Sequence, residues 1–160
     1  MDEWMITMNL KTSHKIFLAK IMYRILMVFR RIFGFGTLAI VKRSGITWKL
    51  DLNEGIDLAI YLFGRFEPGT IKLYDTYVKE GDIVLDIGAN IGSHTLPLAL
   101  KVGDSGKVYA FEPTRFAFQK LEANVGLNPC LTSRINLYQV MLVGSENEKI
   151  EAQIFSSWPY

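Results

Sequence analysis

The stretch from residue 83 to residue 112 constrains this chain more than any other. Ile83-Val84-Leu85 is a short apolar run held between Asp82 and Asp86, and it feeds directly into Gly88-Ala89-Asn90-Ile91-Gly92. Such a run predicts a short buried strand, and the glycines predict a tight turn after it. Residues 93–102 then predict a helix, with Pro97 near its first turn, where proline is tolerated. Gly103 and Gly106 end that helix, and residues 107–111 read as a second strand. The pattern is a βαβ unit of about thirty residues, which makes the two strands parallel neighbours and the fold class α/β.

In open α/β sheets a ligand sits beyond the carboxyl ends of the strands, where glycines let the backbone come close to it. Glu112 stands at the tip of the second strand, twenty-four positions after Gly88. A carboxylate there can accept hydrogen bonds from both hydroxyls of a ribose, so an adenosine-containing ligand is expected. A dinucleotide or phosphate site would favour G-x-G-x-x-G or G-x-x-x-x-G-K-[ST]. The run here is G-A-N-I-G, without a lysine and preceded by Asp86. A carboxylate in that place repels a pyrophosphate and suits a ligand carrying an ammonium and a sulfonium. S-adenosylmethionine has both, and its own carboxylate can lie at the positive end of the helix starting near Ser93. The expected cofactor is therefore S-adenosylmethionine, and the candidate positions around it are Asp86, Gly88, Ala89, Asn90, Gly92, Ser93 and Glu112. An NAD-type oxidoreductase fragment is the competing enzyme reading, disfavoured by the missing third glycine and by Asp86.

Plainer roles compete at each position. Gly88 and Gly92 can be turn and packing glycines, Asn90 can serve the turn itself, and Asp86 and Glu112 can cap neighbouring helices. His94 is a candidate base or a polar residue at a helix start. Glu67 and Tyr74 precede the first strand, where a segment can fold over a cofactor or show a solvated helix face. No spacing of His, Cys and carboxylates suggests a metal site, and no residue is assigned as catalytic.

The motifs D-I-G-A-N-I-G (86–92), A-F-E-P (110–113) and L-E-A-N-V-G-L-N (121–128), in one continuous order, resemble the FkbM-type methyltransferases. The resemblance covers about residues 38–150. It implies a Rossmann-like class I methyltransferase fold and O-methylation of a hydroxyl on a sugar, glycolipid or polyketide-like acceptor. It also implies that Asp86, Gly88, Asn90 and Gly92 hold the methionyl part of the cofactor and Glu112 the ribose. A family member continues past its third core strand with a stretch like D-x-I-K-I-D-x-E-G. The chain is accordingly expected to be an N-terminal portion, truncated after that third strand, with no turnover of its own.

Around this unit, residues 37–52 predict two strands about a Ser44-Gly45 hairpin turn. Asn53 is expected to cap a helix over 54–63, closed by Gly64, and Pro68 to open another running to about Lys79. Pro113 leads into a helix over 115–127 with Phe116, Phe118, Leu121 and Val125 inward. Residues 135–142 predict a third strand, whose Val140 and Met141 could flank an adenine edge, and residues 149–155 one more. Cys130, the single cysteine, excludes a disulfide scaffold and reads as a small buried hydrophobe.

Residues 13–33 predict a helix, stopped by Gly34 and Gly36, with Ser13, Lys20, Arg24 and Arg31 on one narrow stripe and apolar residues over most of its circumference. Charge divides in the same way: residues 1–50 hold nine Lys or Arg against Asp2 and Glu3, and the rest nine against fourteen carboxylates. Three parts are expected: a basic amphipathic helix (1–36), a hairpin and helices (37–79), and a partial cofactor-binding domain (80–160). The first can pack on its own domain or rest peripherally on a membrane, and a non-catalytic membrane-associated remnant is the reading furthest from an enzyme. Without a secretory leader or an 18-residue apolar span, a cytoplasmic location is expected. The expected acceptor is a small molecule or glycan rather than nucleic acid, which would call for more exposed cations.

Overall fold

The computed structural model describes residues 12–144, which divide into two compact units at Thr37 and Leu38. In the first, α1 (Thr12–Ile32) carries Arg30 and Arg31 in its last turn, where cations complement the helix dipole. Gly34 turns left-handed (φ 72°), and the Arg30 side chain donates to the Gly36 carbonyl at 2.8 Å, closing the helix end. Among the described residues no helix is long and apolar enough to cross a membrane.

The second unit begins with the hairpin β1 (Leu38–Arg43) and β2 (Ile46–Asp51), paired antiparallel with Arg43 opposite Ile46. Only Ser44 and Gly45 remain for the turn, both at positive φ (50° and 83°), the backbone twist that a two-residue hairpin demands. Alternation along β2 buries Ile46, Trp48 and Leu50 on one face. The helix α2 (Gly55–Phe63) follows and ends at a left-handed Gly64. Its N-cap is Glu54, not Asn53, because Asn53 N is already bonded to Asp51 Oδ1 at 3.1 Å and belongs to the preceding turn. Pro68 opens α3 (Pro68–Tyr77) as expected.

β3 (Ile83–Ile87), β4 (Lys107–Phe111) and β5 (Ile135–Tyr138) form a parallel sheet with β4 in the middle. The helices α4 (Thr95–Val102) and α5 (Arg115–Gly126) connect them, the latter with a short α6 (Pro129–Thr132) before β5. Leu96, Ala99, Val102, Val108, Ala110 and Leu121 are fully buried between sheet and helices. Gly106 makes the close passage from α4 into β4 possible, since a Cβ there would lie 2.5 Å from Val102 Cβ and 2.7 Å from the Asp82 carbonyl oxygen.

Several expectations need correction. β3 is not buried on both faces: Ile83, Leu85 and Ile87 are 60–69% exposed, because the helices cover one face of the sheet only. Tyr138 stacks on Phe111 (5.1 Å) and Tyr109 (6.3 Å) across adjacent strands. The third strand ends at Tyr138, so Val140 and Met141 lie in the exposed segment after it. Phe116 is exposed, with Lys120 Nζ 5.6 Å over its ring. Cys130 is exposed on α6. The strand expected over 149–155 lies outside the described residues.

Two buried asparagines join the hairpin to the rest. Asn128 Oδ1 accepts from Thr47 N (2.8 Å) while its Nδ2 donates to Thr47 O (2.7 Å), completing β2's backbone as a neighbouring strand would. One helical turn earlier, Asn124 Oδ1 accepts from Lys49 N (2.8 Å), and its Nδ2 donates to the Ile91 carbonyl at 3.0 Å. The helix α5 thereby braces both the hairpin and the glycine turn.

Candidate functional site

The site is assembled where β3 and β4 end side by side, with Asp86 opposite Ala110 in register. Gly88 N and Ala89 N both donate to the Phe111 carbonyl (2.9 and 3.0 Å), which folds the turn back over the tip of β4. Gly88 is left-handed (φ 83°), and a Cβ built on it would meet no atom within 4 Å. Space for a ligand to approach the backbone therefore lies open above Gly88. Gly92 is different: its left-handed backbone (φ 92°) favours glycine, and a Cβ there would stand 2.9 Å from Leu121 Cδ1 of α5. Asn90 also has positive φ (49°), and its Oδ1 accepts from Ile91 N at 2.8 Å, a bond that serves the turn.

Glu112 is buried, at 4% exposure. Its Oε2 accepts from Asn90 N at 2.9 Å, tying the tip of β4 to the middle of the turn. Its Oε1 accepts from Thr114 N (2.9 Å) and Thr114 Oγ1 (2.5 Å), at the N-cap of α5. Asp86 Oδ2 accepts from Thr95 Oγ1 at 2.5 Å, at the first residue of α4. Both carboxylates thus touch a helix start, Glu112 through Thr114 N and Oγ1 and Asp86 through the Thr95 hydroxyl. A carboxylate has about four acceptor positions, however, and neither set is filled by these bonds. Burial pushes the Asp86 carboxyl above its ordinary range; the Thr95 hydrogen bond and the nearby His94 oppose the rise, and Glu112 adds to it. Among the described residues no Lys or Arg pairs with Asp86. A desolvated carboxylate without a cation partner favours a positively charged ligand over an anionic one.

The Ala89 and Ser93 side chains are buried, and Ser93 lines a cavity of about 200 Å³ together with Ile46, Trp48, Ile60 and Pro97. His94 is the N-cap residue of α4 but makes no capping bond with its side chain. Instead its Nδ1 lies 2.6 Å from the Tyr74 hydroxyl and its Nε2 3.5 Å from Glu67 Oε2. Phe66 and Tyr74 approach its ring with centroids 6.0 Å away. The segment before β3 is thereby brought against the residue that follows the turn. Thr95, Thr114 and Asn124 went unassigned in the sequence, although the spacing of Asn124 and Asn128 places both on one helix face. Among the described residues no group of three or more His, Cys, Asp or Glu could hold a metal ion.

Comparison with known proteins follows this geometry closely. Residues 86–158 match the model of the methyltransferase FkbM domain. A curated protein of Saccharolobus solfataricus, described as a cobalt-precorrin-6B C(15)-methyltransferase (decarboxylating), is 34% identical over 106 residues, covering 58% of this chain and 53% of its own length. The chain thus spans about half of that relative. Among solved structures, TYW2 of Pyrococcus horikoshii in complex with MeSAdo superposes with a TM-score of 0.52 at 26% identity, over 74% of this chain and 47% of that one. A complex of aTrm5 with tRNALeu is also similar (TM-score 0.46, 24% identity, 63% of this chain and 27% of that chain). With TYW2 among the similar solved structures, the expected exclusion of nucleic acid in favour of a small-molecule or glycan acceptor does not stand: a basic patch confined to one end of a chain does not decide the acceptor. The turn, the carboxylate at each strand end and the asparagine-braced helix all lie within residues 86–158, the stretch that matches the FkbM methyltransferase domain, on the part of the class I methyltransferase fold that these strands and helices form.

Proposed function

We propose that this chain binds S-adenosylmethionine across the turn from Gly88 to Gly92 and forms the cofactor side of a methyltransferase. One observation carries the reading: Asp86 and Glu112 stand at the ends of adjacent parallel strands and flank an open left-handed glycine, and Glu112 is tied to the turn through Asn90 N. Glu112, with acceptor capacity left over, receives the ribose hydroxyls. Asp86 faces the positively charged methionyl part, which supplies the counter-charge that its half-buried carboxylate lacks. Asn124 and Gly92 hold the turn in register against α5, and residues 80–160 are the cofactor-binding part in this reading. Bound there, S-adenosylmethionine offers an electrophilic methyl group. The residues around it contribute placement, since bringing oxygen, carbon and sulfur in line at about 3 Å supplies much of the acceleration.

For the acceptor, the resemblance to FkbM-type enzymes supports an oxygen nucleophile, such as the hydroxyl of a sugar, glycolipid or polyketide. Size is left open, because an acceptor hydroxyl on a polynucleotide fits the same chemistry and the aTrm5 complex holds a tRNA. An NAD-type reading is opposed by Asp86, which would confront a pyrophosphate. Calorimetric titration tests the proposal: S-adenosylhomocysteine should bind and NAD should give no heat. Binding of NAD without S-adenosylhomocysteine would reverse the assignment.

A further inference from the structure

We infer that Tyr74, hydrogen-bonded to His94 and through it linked to Glu67, is the group that faces the transferred methyl and carries away the proton of the acceptor hydroxyl. The inference rests on the cofactor reading above and assigns roles to three residues that it leaves unused. His94 precedes Thr95, whose hydroxyl is bonded to Asp86, so the groups that His94 touches lie on the side of the turn where that carboxylate stands. It touches Tyr74 through Nδ1 at 2.6 Å and Glu67 through Nε2 at 3.5 Å. With a neutral ring, the Tyr74 O–H donates to Nδ1 and Nε2 carries the ring proton on the side of the Glu67 carboxylate.

The supports of this chain of groups are built in. Glu67 is the N-cap of α3 and holds a left-handed backbone (φ 47°, ψ 67°), costly for a residue with a side chain, which is a common mark of a functional position. Thr70 Oγ1 donates to Glu67 Oε2 at 3.2 Å and fixes it. The rings of Phe66 and Tyr74 pack on His94 from two sides. Burial and the carboxylates of Asp86 and Glu67 push the Tyr74 hydroxyl up to about 12, so it stays protonated and cannot act alone as a base. A protonated hydroxyl that already donates to an imidazole can only accept, and accepting is what a relay requires.

The acceptor oxygen bonds to the methyl carbon as the carbon–sulfur bond breaks and its electron pair passes to sulfur, which becomes a neutral thioether. The acceptor's proton moves to Tyr74 Oη while Tyr74 gives its own to His94 Nδ1. Tyr74 ends neutral, and His94 ends as an imidazolium beside the Glu67 carboxylate, with Asp86 the other charged group near it. Solvent then takes the proton from His94.

Two inhibitors test this by binding alone. Sinefungin carries an amine-bearing carbon in place of the sulfonium sulfur and its methyl, so its ammonium occupies the methyl position. S-adenosylhomocysteine has nothing there. If Tyr74 Oη faces that position, it accepts from the ammonium, and the chain prefers sinefungin by about ten-fold, the worth of one hydrogen bond to a charged group. Tyr74→Phe should abolish the preference and leave S-adenosylhomocysteine affinity unchanged; His94→Asn and Glu67→Gln should reduce it. No preference in the unaltered chain, a preference that survives Tyr74→Phe, or an equal loss for both inhibitors would each overturn the assignment. Failure of the unaltered chain to bind either inhibitor would instead remove the cofactor reading, and the relay with it.

Discussion

Glu112→Gln is expected to lower affinity for S-adenosylhomocysteine about 100-fold or more while leaving a folded chain. The carboxylate of Glu112 is buried and accepts three hydrogen bonds, from Asn90 N, Thr114 N and Thr114 Oγ1. A glutamine offers one acceptor oxygen and turns an NH₂ toward donors on the other side. Losing charge-assisted bonds and opposing a donor with a donor costs about 1–3 kcal/mol in stability. The loss in binding lies at the upper end of that range or beyond it, because two things fail together. The ribose loses its anionic acceptor, and the turn loses the link at Asn90 that sets its height above β4. Calorimetry paired with thermal unfolding separates the effects. A lower melting temperature with unchanged affinity in the folded chain would mean that Glu112 serves only as a brace between the turn and α5.

The second large effect is one of stability. Lys120→Met is expected to destabilise the chain by about 3–5 kcal/mol at neutral pH, the cost of stranding a buried charge. Asp57 is 1% exposed, and its Oδ2 holds Lys120 Nζ at 2.7 Å and Asp51 N at 2.6 Å. It joins α2 both to α5 and to the end of β2. Burial already pushes the Asp57 carboxyl above its ordinary value, with Lys120 opposing the rise. Without Lys120 it rises further. A carboxyl raised in the folded state binds its proton more tightly there than in the unfolded chain, so its contribution favours folding at low pH and is lost as pH rises from 3.8 through the folded-state value. The deficit of Lys120→Met against the unaltered chain should therefore narrow on acidification, and Asp57→Asn in the same background should restore part of the loss at neutral pH. Urea midpoints across pH measure both. A deficit that does not change with pH would assign the loss to packing rather than charge.

How far the sequence could be read depended on how local the causes were. The Ser44-Gly45 turn, the left-handed Gly64 and Pro68 at a helix start are decided by one or two residues, and each stands where expected. The strand–turn–helix–strand order was legible for the same reason. Burial was not, since it depends on what covers each face. Ile83, Leu85 and Ile87 look like core because they are apolar, yet the helices that would hide them are on the other side of the sheet. Phe116 and Cys130 went astray likewise. In the site, the carboxylates at the strand ends could be named from position alone. Their partners could not: Thr95 is nine positions from Asp86, and Tyr74 reaches His94 across twenty residues that pass through α3 and β3. Asn124 and Asn128 were visible as a motif, but their purpose depends on a hairpin 75 and 81 residues away.

The account turns on where a nucleoside bearing positive charge comes to rest. A crystal structure of the chain grown with S-adenosylhomocysteine tests that most directly. Its ribose should lie against Glu112 and its amino-acid end over Gly88, with the ammonium toward Asp86. Density for the ligand anywhere other than above the Gly88–Gly92 turn, in a crystal where that turn is open to solvent, would contradict the central claim.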